Sequence, residues 1–219
     1  MKKAINLALI ISLIISVVFV AFEPQNVKAV SHNVIITAEV TEEISITSPV
    51  DITLNPSIPG ITGNAGSPAT GSVTWTVKTS NAAGFNMKIN ATTDPALQLE
   101  AGEFFDDYTP AVAGSPDFDW ASPDAASAEF GFTVEPETVT DTDSLFIDDG
   151  ADCDVGALNG ADTCWLDFNG QSNIDIINRS TATGLSGEDE VVKFWAESNA
   201  KHLKEGNYTA TIQVTATMN

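Results

Sequence analysis

The chain of 219 residues is poor in the residue types that do most enzymatic chemistry. It has two histidines, two cysteines and nine lysines and arginines. A structural zinc site takes about four ligands. Beyond Cys153 and Cys164 the sequence offers only His32 and His202, one near each end. A Ser-His-Asp or Cys-His arrangement needs a positioned histidine. His32 falls in the amino-terminal region and His202 in the turn-like "NAKHLKEGN". There is no G-x-S-x-G, H-E-x-x-H, P-loop or dinucleotide fingerprint. A carboxylate-pair hydrolase needs two acids that converge in space, and no motif singles out such a pair. The sequence therefore points to a non-enzymatic protein.

Basic residues are scarce in a way that matters. None occurs between Lys88 and Arg179, while acids recur throughout that interval. The formal charge is −21, and it becomes −23 once Lys2, Lys3, Lys28 and Glu23 leave with the leader described next. Nucleic acid and anionic membranes would repel such a surface. The partners it admits are cations, neutral glycans, other surface proteins and further copies of itself.

The compartment is written at the start. Met1-Lys2-Lys3 precedes an apolar run from Ala4 to Phe22, then a polar stretch and Val27-Lys28-Ala29, with small residues placed for cleavage after Ala29. This is the layout of a secretory signal peptide over residues 1–29. The alternative is an uncleaved membrane anchor, since the run approaches the roughly 20 residues that span a bilayer. Residues 30–219 then form a single secreted domain, exported or held at the cell surface. Outside the cytosol, Cys153 and Cys164 are expected to form a disulfide. Their spacing and acidic neighbours argue against a redox-active C-x-x-C pair.

Helix-length amphipathic runs are lacking as well, and no internal repeat is visible. Alternation of period two takes their place. Val73, Trp75 and Val77 alternate with polar residues, as do Phe85, Met87 and Ile89. The segment from Asn33 to Thr47 sets Val34, Ile36, Ala38 and Val40 on one face, followed by Ile44 and Ile46. The last segment aligns Tyr208, Ala210, Ile212, Val214, Ala216 and Met218. Shorter strands are expected over 128–135, 164–168, 173–178 and 190–197. Short strands punctuated by Gly, Pro and Asn predict an all-β, antiparallel β-sandwich. Two acidic, turn-rich excursions, about 94–123 and 136–162, interrupt it as long loop insertions.

Two features of those excursions are candidate sites. Asp148, Asp149, Asp152 and Asp154 crowd around a Gly turn, in partial agreement with a calcium loop but without the distal Glu. They form either a weak calcium site or a solvated acidic loop. Tyr108, Phe118 and Trp120 are either platforms for sugar faces, as in a calcium-dependent glycan-binding or protein-binding module, or aromatics buried under their own loop.

The two ends together resemble those of bacterial fimbrial subunits, in particular the major pilins of the colonisation-factor class, and of spore-coat-U-like secreted proteins. "HNVIITAEVTEEISIT" and the terminal "EGNYTATIQVTATMN" carry the resemblance, over about thirty residues. WxL-type and other bacterial cell-wall β-sandwich proteins are similar to the same extent. The fimbrial resemblance implies an immunoglobulin-like sandwich. In it, an amino-terminal strand (here Val34, Ile36, Ala38 and Val40) completes a neighbouring subunit, and a Gly-Asn-Tyr step (Gly206, Asn207 and Tyr208) opens the last strand. Met218 stands where such pilins often carry an aromatic, and the acidic middle has no counterpart in them. The expected role is a structural or adhesive surface subunit that assembles by strand addition.

Overall fold

The computed structural model describes residues 31–100, 102–136, 141–168, 170 and 172–219. The leader expected over residues 1–29 lies outside them. Every strand falls within one compact unit, Thr41–Asn219. Among the described residues there is no α-helix, and no helix long and apolar enough to cross a membrane.

The strands, in chain order, are β1 (Ile44–Ile46), β2 (Ala69–Thr79), β3 (Phe85–Ala91), β4 (Gln98–Glu100), β5 (Glu103–Phe104), β6 (Asp106–Asp107), β7 (Ser127–Val134), β8 (Ile174–Arg179), β9 (Glu188–Asn199) and β10 (Ile212–Met218). One single-turn 3-10 helix spans Ser144–Phe146. A five-stranded sheet runs in the order β1-β2-β9-β7-β6, and a three-stranded sheet in the order β10-β3-β8. The chain is a β-sandwich, antiparallel except for the short β6–β7 pair. Each connection from β2 through β3, β7, β8 and β9 to β10 changes sheet.

Alternation builds the core directly. On β3, Phe85, Met87, Ile89 and Ala91 point inward and are fully buried, with Asn86, Lys88 and Asn90 between them. Facing them from the larger sheet are Trp75 and Val77 of β2, Phe130 and Phe132 of β7, and Val192 and Phe194 of β9. Phe130, Phe168 and Phe194 stack on one another, and Phe132 also stacks on Phe168. A buried Phe contributes about 1.5–3 kcal/mol relative to exposure, so this layer accounts for much of the cohesion between sheets.

The excursions depart from the loops expected of them. Residues 141–143 pair with β8 of the smaller sheet, and Leu97, Phe105 and Phe146 enter the core. Tyr108 and Trp120, joined by Trp165, instead cover the outer face of the larger sheet, so β7 and β9 are covered on both faces. On that outer side Trp120 stacks on Tyr108 at 4.4 Å and meets Trp165 and Trp195 edge-on at 5.4 and 5.6 Å. Trp165 and Trp195 lie 4.2 Å apart. Gly131 makes this layer possible, because a Cβ there would come within 2.8 Å of both the Leu166 carbonyl and the Tyr108 Cβ. Gly131→Ala is expected to lower unfolding free energy by about 1–3 kcal/mol, the usual cost of overpacking, measured by urea titration.

Other expectations need correction. Residues 164–168 are not a strand; Trp165 and Leu166 make single bridges to Asp117 and Phe132, and the segment serves as packing. The last strand begins at Ile212 and not at Tyr208. Before it, Thr209 exchanges backbone hydrogen bonds with Gln98, so the chain changes partner there. Of the long amino-terminal run, only Ile44–Ile46 pairs, with Val77–Thr79.

Candidate functional site

The cysteine pair is a disulfide, with a Cα–Cα distance of 5.6 Å. Cys164 is fully buried and belongs to the core cluster, and Cys153 packs against it. The bond thus ties the acidic loop to the core and is more than a surface staple. A disulfide of this kind belongs to an oxidising, extracellular-type compartment.

The aspartates beside it are engaged in shaping the loop. Asp148 is buried, and its Oδ1 accepts from the Gly150 N–H at 2.8 Å while its Oδ2 accepts from the Gly160 N–H at 2.9 Å. Asp149 Oδ1 accepts from the N–H groups of Ala151 and Asp152 at 3.1 and 3.0 Å. Asp154 sits in the left-handed region, with φ of 59°. Among the described residues, no three His, Cys, Asp or Glu side chains are grouped so that they could hold a metal ion. The carboxylates of Asp148 and Asp149 point at separate backbone turns.

The aromatic residues are also accounted for structurally. Tyr108 is 2% exposed, so the expectation of an open sugar platform does not hold for it. Its hydroxyl donates to Asp117 at 2.7 Å and accepts from the Ala121 N–H at 3.1 Å. Trp120 is half-buried and donates from its indole nitrogen to Glu197 Oε2 at 2.6 Å. The other oxygen of Glu197 accepts from the Gly66 N–H at 2.6 Å. Phe118, also half-buried, accepts the Cys164 N–H through its carbonyl at 3.1 Å. Glu197, fully buried, is the residue that sequence reasoning missed. Its place on the polar side of the β9 alternation gave no sign that an indole would cover it.

Among the described residues, β10 pairs with β3 alone and leaves its other edge unpaired. β10 pairs with β3 along its whole length, from Ile212 opposite Ala91 to Met218 opposite Phe85, and it ends the three-stranded sheet. Its inward row of Ile212, Val214 and Ala216 is only half-buried, and Met218 is exposed. Exposed edges are usually blunted by charge, proline, bulges or short length. The seven residues "IQVTATM" carry no charge or proline, and their register with β3 is unbroken. Tyr208, one of the residues matched to the pilin Gly-Asn-Tyr step, packs edge-on against Phe105 and donates to the Lys204 carbonyl at 3.0 Å. Gly206 lies under Leu99, whose methyl groups a Cβ would meet at 2.8 Å.

Residues 31–40 have no strand pairing, and Val34, Ile36 and Val40 are each more than 80% exposed; Ala38 is exposed as well. An alternating apolar segment left in water is unusual, since strand-forming residues gain stability by burial against a partner face.

Several carboxyls are pushed up. Asp107 is raised to about 6, first by burial and then by Asp94, Asp167 and Asp106, although the Ala96 N–H opposes the shift. Glu129 and Asp143 move in the same direction, with burial the leading cause. A raised carboxyl means that the folded chain holds the proton more tightly than the unfolded one. This contribution to stability is therefore fully present below about pH 4 and is lost as pH rises through about 6, above which it is flat. The melting temperature is expected to be higher at pH 5 than at pH 7.5, on the order of a few degrees. Asp107→Asn should reduce that difference.

Comparisons with family models, with curated proteins and with solved structures found no match for this chain.

Proposed function

We propose that this is a secreted structural or adhesive subunit of a bacterial surface, assembling by addition of a neighbour's strand to the free edge of β10. The observation that carries the reading is that edge: seven uncharged residues in regular register, with a half-buried apolar row and no outer partner among the described residues. The occupant is the segment 33–40 of a second copy, "NVIITAEV", whose Val34, Ile36, Ala38 and Val40 supply the apolar face that the β10 row lacks. Main-chain hydrogen bonds would give affinity and the alternating side chains would give register. The disulfide fits an extracellular setting. Like-charged copies repel one another, so assembly is expected to strengthen with ionic strength.

Light scattering on the purified full-length secreted chain tests the reading. A ladder of oligomers that lengthens with added salt supports it. A sharp monomer at high concentration, with and without salt, rejects it.

A further inference from the structure

Lys193 differs from the other lysines. On β9 it points to the outer face of the larger sheet, away from the core. Its Nζ contacts Asp162 Oδ1 and lies 3.9 Å from Glu135 Oε1. Its side chain is 21% exposed, against 42% for Lys88 and 56% for Lys204 in their own ion pairs, and Trp195 shields it at 5.9 Å. Among the described ion pairs, Lys193 is the lysine that meets two carboxyls. Those two carboxyls also act on each other. The charge of Asp162 raises the Glu135 carboxyl, and Glu135 Oε1, the oxygen facing Lys193, is buried without a hydrogen-bond partner.

The backbone around the acid is anchored on several sides. Asp162 sits in the left-handed region, with φ of 61°. Its carbonyl accepts from the Trp165 indole at 3.0 Å, and Cys164, two residues on, is anchored by the disulfide. Thr133, the neighbour of Lys193 across the β7–β9 ladder, donates through its hydroxyl to the Thr163 carbonyl. An amine and a carboxyl fixed in contact by independent anchors react as though at very high effective concentration.

We propose that Lys193 and Asp162 are a modification site, at which the chain joins itself through an amide bond with Glu135 carrying the protons. The Glu135 carboxyl gives its proton to the Asp162 carboxylate, and the Lys193 ammonium gives a proton to the Glu135 carboxylate so formed. The neutral Nζ then attacks Cγ of Asp162, and an N–C bond forms. The C–O bond to the protonated oxygen breaks, and water leaves with the second amine proton. One ammonium and one carboxylate become one amide and one water, Glu135 ends as it began, and no oxidant or cofactor takes part. Burial and the nearby Asp162 raise the Glu135 carboxyl above its ordinary value, which suits it to the relay. The side chain of Asp162 is 45% exposed, which leaves an exit for the water.

The amide would cross-link the centre of the larger sheet to the end of the disulfide-bonded loop. Tryptic mapping of the reduced, secreted chain tests this. The expected result is a single species containing the Asp162 and Lys193 peptides, lighter than their sum by one water and unaffected by reductant. Lys193→Arg keeps the charge and Glu135→Gln keeps the shape, and both should return the separate peptides at full mass. Separate, full-mass Asp162 and Lys193 peptides from the wild-type chain would overturn the proposal, whether or not either variant folds.

Discussion

A chain that begins at Thr41 is expected to run as one sharp monomer where the longer chain forms a ladder. The truncation removes Val34, Ile36, Ala38 and Val40 but leaves all ten strands of the described residues, which lie within Thr41–Asn219. A peptide of residues 33–40 should bind the truncated domain, and Ile36→Asp in that peptide should weaken binding at least tenfold, about 1.4 kcal/mol or more. An unpaired carboxylate does not tolerate an apolar groove. Val214→Lys in the domain should have a comparable effect, since it places a charge in the receiving row. Isothermal titration of the four combinations measures both effects. Equal binding by all four would leave no role for the β10 edge. An unfolded truncated chain would instead mean that residues 31–40 pair within their own copy.

Loss of the disulfide is expected to give the second large effect. Cys164→Ala removes a cross-link and also opens space in the core, because Cys164 is fully buried there. Loss of a native disulfide typically costs 2–5 kcal/mol. The expected fall in stability is of that order, and the effect should spread beyond the loop. Trp165 follows directly and contributes to the Trp120–Trp165–Trp195 layer, so near-ultraviolet circular dichroism should weaken along with the melting temperature. Cys153→Ser, at the half-buried partner, should lose the cross-link with less damage to packing. If both variants melt within a degree or so of the parent, the loop is anchored by its hydrogen bonds alone.

The strands that were legible in the sequence are those whose two faces meet different surroundings. β3 is the clearest case, with an unbroken row of Phe85, Met87, Ile89 and Ala91 against Asn86, Lys88 and Asn90. β9 was legible only in part. Val192, Phe194 and Ala196 alternate properly, but Trp195 and Glu197 on the other face are also covered. Alternation fails as a guide wherever a distant segment packs on the second face. For the same reason, 164–168 looked like a strand: Trp165, Leu166 and Phe168 are buried, but by packing against Trp195 and the Phe layer and not by a ladder.

The acidic loop teaches the same point about polar groups. The spacing of Asp148 and Asp149 and the nearby glycine suit a calcium loop. Side-chain carboxylates also close turns by accepting backbone N–H groups, with identical residue types at identical spacing. Only the structure shows that these carboxylates close turns, accepting from Gly150, Gly160, Ala151 and Asp152.

The sequence by itself determined the class of the fold and the partner of each cysteine. Period-two alternation is a local property, and two cysteines in an oxidising compartment admit one intramolecular pair. Tertiary structure decided the rest. It laid Tyr108, Trp120 and Trp165 over the outer face of β7 and β9, gave Glu197 an indole partner, left the β10 edge open, and brought Glu135, Asp162 and Lys193 together. These are contacts between segments far apart in the chain, and they depend on which surfaces remain uncovered once the local strands have paired. No residue type or spacing along the chain encodes that directly.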